Sequence, residues 1–95
     1  MKLISVIHMA KGRIDGYLEI EDEYVEFESV KGQPVRIENT FPKTRYEDYE
    51  SFAQVIGKFD PYTLFFEKPV EISGELTYES ILEAYDKQLK SLEES

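Results

Sequence analysis

The chain has 95 residues, 20 of them acidic against 11 basic, for a net charge of −9, and contains neither cysteine nor tryptophan. That length, with 41% hydrophobic residues, suits one compact domain over residues 1–95 rather than a second core or a disordered acidic tail. The lack of thiols excludes disulfides, thiolate nucleophiles and Cys-ligated metal centres, and the acidic balance argues against direct contact with nucleic acid or an anionic membrane.

Residues 2–9 are rich in β-branched side chains and read as a first strand, apolar on both faces. Lys2 and the apolar run after it have the opening of a signal peptide, but His8, Lys11 and Arg13 interrupt the run too early. No stretch approaches the roughly 20 apolar residues of a membrane helix, so the expected location is the cytoplasm. After a turn at Ala10-Lys11-Gly12, strands are expected over residues 13–21, 24–30 and 34–38. The apolar pattern sets their registers. A two-residue turn at Asp22-Glu23 pairs Ile20 with Val25, Leu18 with Phe27 and Glu19 with Glu26. A three-residue loop at Lys31-Gly32-Gln33 pairs Phe27 with Ile37, Glu28 with Arg36 and Glu26 with Glu38.

Thr44-x-x-Glu47 has the form of a capping box, and Tyr49, Phe52, Ala53 and Ile56 follow at helical spacing, with Gly57 and then Asp60-Pro61 as stops. A fifth strand starts at Tyr62 and runs to residue 66 or on to 72. Pro69 marks it as an edge or a strand end. Phe65 and Phe66 must then face opposite sides of the sheet. A second helix, capped by Thr77 or Ser73, carries the apolar stripe Tyr78, Ile81, Leu82, Tyr85, Leu89 and Leu92, and residues 93–95 form a short polar tail. The order ββββαβα predicts an α+β fold: a four- to five-stranded, mainly antiparallel sheet with two helices packed on one face.

Catalytic constellations are scarce. His8 is the single histidine and lies within a strand, which reads as a packed or edge residue rather than a general base. The five glycines are scattered, and neither phosphate-loop pattern occurs. Asp15, Glu19, Glu26 and Glu38 are hard oxygen donors, but the calcium-loop pattern is missing, so no metal or other cofactor is expected. The chain therefore reads as a protein that is not an enzyme.

The feature that points to function is one strand face over residues 17–30. Alternation sets Leu18, Ile20, Val25 and Phe27 on one side and Tyr17, Glu19, Glu21, Tyr24, Glu26 and Glu28 on the other. With Glu38 this gives a row of like charges, Glu19–Glu26–Glu38, across three strands, and Arg36 as the local counter-charge. Like charges opposed across a sheet destabilise it. One reading is an ordinary solvated sheet face. Antiparallel sheets commonly leave one face wet, which weighs toward the solvated reading; the other, on which a functional reading rests, is a surface for a basic protein partner. In it carboxylates steer and bind Arg and Lys, and the tyrosines provide contact area. Glu47, Asp48 and Glu50 on the first helix would extend that surface, and together the carboxylates could imitate nucleic-acid phosphates. Small acidic proteins of phages and mobile elements act as inhibitors in this way, which is an analogy of size and charge. The alternative is a self-associating module, such as a homodimer, acting through an edge strand or helix.

Overall fold

The computed structural model describes residues 1–59 and 63–94. Five strands, β1 (Lys2–Ala10), β2 (Arg13–Ile20), β3 (Glu23–Val30), β4 (Arg36–Pro42) and β5 (Leu64–Glu71), pair antiparallel in the order β4-β3-β2-β1-β5. Helix α1 (Tyr49–Phe59) follows β4, and α2 (Tyr78–Glu94) follows β5. The fold is α+β in the expected element order. β5 is an edge strand and carries Pro69, whose missing N–H is tolerated there.

The helices lie on opposite faces of the sheet, not on one. Leu3, Ile14, Leu18, Val25 and Phe27 form a core with Ile72 and with Ile81 and Ala84 of α2. Their immediate neighbours Ile4, Tyr17 and Tyr24 form a second core with Phe52 and Ile56 of α1. Because strand side chains alternate, adjacent residues such as Leu3 and Ile4, both fully buried, require cover on both sides. Phe65 packs toward α1 and Phe66 toward α2 for the same reason.

The β2–β3 turn falls one residue earlier than the sequence pattern suggested, at Glu21-Asp22, with Glu21 in the left-handed region at φ 51°. Such a turn matches the twist of a two-residue hairpin. Moving it by one residue shifts each partner by two, which keeps the faces but changes the opposites: Glu19 faces Tyr24, Tyr17 faces Glu26, and Leu18 faces Val25. Between β3 and β4 the pairs Phe27–Ile37 and Glu28–Arg36 form as expected. A register shift then sets Asn39 opposite Glu26 and leaves Glu38 outside the pairing. The continuous row Glu19–Glu26–Glu38 therefore does not form.

Thr44 does not begin the first helix. Lys43–Arg45 make one 3₁₀ turn, and Tyr46 returns to extended backbone. The Tyr46 ring then packs edge-on against Phe52, 5.2 Å between centroids. Asp48 is the cap instead, its carboxylate accepting the Ser51 N–H at 2.8 Å. The helix continues past Gly57 to Phe59. The stop expected at Asp60-Pro61 and the strand start at Tyr62 lie outside the described residues, and so does the side chain of Leu92. Thr77 caps α2: its Oγ1 accepts the Ser80 N–H at 3.1 Å, and its own N–H donates to Ser80 Oγ at 2.8 Å.

Candidate acidic binding face

On the α1 side of the sheet, aromatic rings gather beneath the helix. Phe52 stacks on Tyr24 at 4.1 Å between centroids and meets Tyr17 and Phe65 edge-on at 5.8 and 5.7 Å. Tyr17 and Tyr24 are only 5% and 4% exposed, so the two tyrosines expected to contact a partner are core residues. Tyrosine is amphipathic, and here its ring is worth more to the core than its hydroxyl is to the surface. Burial holds the Tyr24 and Tyr49 phenols above their ordinary pKa, so both stay neutral.

The carboxylates divide into two groups. At one end Glu19 is bound by Lys43 at 3.0 Å, and Lys43 Nζ lies 5.5 Å from the centre of the Tyr24 ring. Asp48 acts electrostatically on the same tyrosine, but its carboxylate is committed to the helix cap, whose N–H bonds hold it below its ordinary pKa. Glu21 is exposed in the hairpin turn, and Glu47 and Glu50 are exposed at the start of α1.

At the other end, Asp15, Glu26, Glu28 and Glu38 come together on β2, β3 and β4. Arg13 is the counter-ion of Asp15 and Glu28, with Nη2 3.0 Å from the first and 3.5 Å from the second, and its charge also acts on Glu38. Partial desolvation, a hydrogen bond shared with Glu28 and repulsion from Glu26 and Glu28 raise the carboxyl of Glu38 above its ordinary pKa, against a smaller opposing pull from Arg36. Glu38 is nevertheless exposed on the surface. Among the described residues no three His, Asp or Glu side chains are placed to hold a metal ion. His8 is exposed, opposite Asp15 across β1 and β2.

Next to this second group is an open cleft of about 510 Å³ between α1 and strands β3 and β4. Tyr17, Phe41, Tyr46, Val55 and Ile56 make its apolar walls, and Glu26, Asn39 and Arg45 bring the polar atoms. Glu26 is oriented there by two donors, the Tyr17 hydroxyl at 3.3 Å on one oxygen and the Asn39 amide on the other. Of the cleft's lining, Glu26 is legible as a candidate in the sequence, whereas Phe41, Tyr46, Arg45 and Val55 are not. The cleft depends on where α1 lands, which no local pattern encodes.

A second groove, about 350 Å³, runs between β5 and α2 and is lined by Val6, Leu64, Phe66, Tyr85 and Leu89 among others. Leu64 on the edge strand is 76% exposed. Among the described residues no helix is long and apolar enough to cross a membrane. In comparisons with known proteins, no family model matches the chain, and neither a curated protein nor a solved structure does.

Proposed function

We propose that this chain is a non-enzymatic acidic binding protein that engages a basic protein partner, as a phage or mobile-element type of inhibitor occupying a nucleic-acid-binding surface. The observation that carries this reading is the gathering of Asp15, Glu28 and Glu38 around the Arg13 guanidinium, with Glu26 next to Glu38 at the edge of an open cleft, in a chain of net charge −9. Clustered carboxylates cost stability when they face only water, and they gain most when arginines and lysines arrive to pair with them. The tyrosines expected to supply contact area are committed to the core, so the working surface is Glu26, Glu28 and Glu38 with Asp15. Glu47 and Glu50 are outlying contributors to the steering field.

The test is capture from host lysate by the tagged chain and by an E28Q/E38Q variant, with competing duplex DNA or RNA. The reading requires a basic nucleic-acid-binding protein that the wild type retains, that the variant loses, and that nucleic acid displaces. Equal retention by both forms would refute it.

One observation favours self-association instead: Leu64 stands 76% exposed on the edge strand above the β5–α2 groove. In that case mass would double with concentration, salt would have little effect, and Leu64→Lys would restore the monomer.

A further inference from the structure

We infer that the cleft between α1 and strands β3 and β4 is a receptor for a single arginine side chain presented by a basic protein. This inference deepens the function proposed above and rests on it for the partner's charge. Three features of the cleft select that occupant.

The first is the carboxylate of Glu26. Its two oxygens each hold one internal donor, Tyr17 on one and Asn39 on the other. A carboxylate offers about four lone-pair sites, so each oxygen keeps one for an incoming group. Two parallel N–H donors from one planar guanidinium fit that arrangement, whereas an ammonium is a point charge. The internal bonds also fix the carboxylate's orientation before binding, which lowers the cost of ordering it.

The second is the wall. Phe41 and Tyr46 supply aromatic surface for a guanidinium plane, and Ile56 and Val55 supply apolar surface for the methylene stem. The third is the setting. Glu28 and Glu38 neighbour Glu26, so the electrostatic potential around the cleft favours a cation over an anion.

Arg45 makes the inference testable. It lines the same cleft and, among the described residues, has no carboxylate within ion-pair distance. A fixed cation there competes with an incoming guanidinium, so its removal strengthens arginine binding. Were the natural occupant anionic, the same removal would weaken binding.

The experiment is a titration of the ¹⁵N-labelled full chain at low salt with the peptide acetyl-Gly-Arg-Gly-amide, and with its neutral isostere in which citrulline replaces arginine. We expect saturable shifts at Tyr17, Asn39, Phe41, Tyr46 and Ile56, with a Kd on the order of 1 mM for so small a ligand. The citrulline peptide should produce no saturable shift. Val55→Trp fills the cleft from a helix position that is 38% exposed, leaves every carboxylate in place, and should abolish saturation. R45A should tighten binding by about threefold, consistent with loss of one nearby like charge.

Equal binding of the citrulline peptide would overturn the inference. So would shifts confined to Asp15, Glu28 and Glu38 that Val55→Trp leaves unchanged, or weaker binding by R45A. The two readings fail separately. A captured partner that needs Glu28 and Glu38 but tolerates Val55→Trp removes the arginine receptor and keeps the acidic binding protein. Cleft binding of the arginine peptide alongside a partner indifferent to E28Q/E38Q does the reverse.

Discussion

The phenol of Tyr49 shares its single proton between the backbone carbonyls of Phe66, at 2.8 Å, and Ile4, at 3.2 Å, so one side chain of α1 bridges β1 and β5. The tie sits where the β1–β5 ladder is interrupted. Leu3 pairs with Val70 but Ser5 pairs with Phe65, a register shift that leaves Ile4 without a partner in the β1–β5 ladder. Ser5 adds a second stitch, its Oγ donating to the Leu64 carbonyl at 2.9 Å. The helix therefore holds the edge strand in place as well as covering the aromatic core.

Tyr49→Phe should lower stability by about 1–2 kcal/mol, the usual cost of leaving buried acceptors without their donor. Urea unfolding measures it. An unchanged midpoint would mean that the edge strand holds without the tie.

Gly16 allows β1 and β2 to approach unusually closely. A Cβ built there would lie 2.1 Å from the carbonyl oxygen of Ser5, which is backbone and cannot swing aside. Gly16→Ala should cost about 3 kcal/mol or more and impair folding outright. Wild-type stability in that variant would contradict the close approach.

Gly57 is the opposite case. It lies within α1 with open space around its Cα, so an added methyl meets nothing. Gly57→Ala should raise stability by about 0.5–1 kcal/mol through helix propensity alone. A loss of stability in thermal melts would show that the position has a packing role.

The pH dependence carries two opposite signs. Glu38 has a raised pKa in the folded chain, so folding takes up protons, and its share of stability grows as pH falls from neutral toward the ordinary value of 4.5. Asp48 has a lowered pKa. Its cap contributes above the ordinary carboxylate value of 3.8 and is lost as pH falls below it. Because Glu38 is exposed, E38Q should flatten the slope above pH 4.5 by well under about 1 kcal/mol. Urea midpoints collected across that range should show a shallower dependence in E38Q than in wild type. An identical slope would place the repulsion elsewhere.

Much of the fold is written locally. Alternation identified the β2–β3 hairpin, apolar matching selected the Phe27–Ile37 register, Pro69 allowed an edge strand or a strand end, of which the edge forms, and of the two cap candidates Thr77 and Ser73 it is Thr77 that starts α2. The β2–β3 turn is set by local hairpin geometry at Glu21, and the remaining differences come from long-range packing. Tyr17 and Tyr24 look like surface residues among glutamates, and only the arrival of Phe52 turns them into core. Once they are core, α1 must lie on the face opposite α2. Thr44 and Asp48 both head plausible cap sequences, and the packing of Tyr46 on Phe52 accompanies the choice of Asp48. The register shift beside Glu38 is likewise invisible in composition: it sets Asn39 opposite Glu26 and leaves Glu38 beside Glu26 and Glu28 but outside the pairing. Of the candidate site, the carboxylates were legible and the cleft was not.

The most direct measurement of the central claim is the affinity of the captured basic partner for wild type and for E28Q/E38Q, each at two salt concentrations. The account predicts weaker binding by the variant and a shallower salt dependence, because fewer charged contacts are screened. Equal affinity and equal salt dependence would contradict it and leave the acidic cluster as solvated surface.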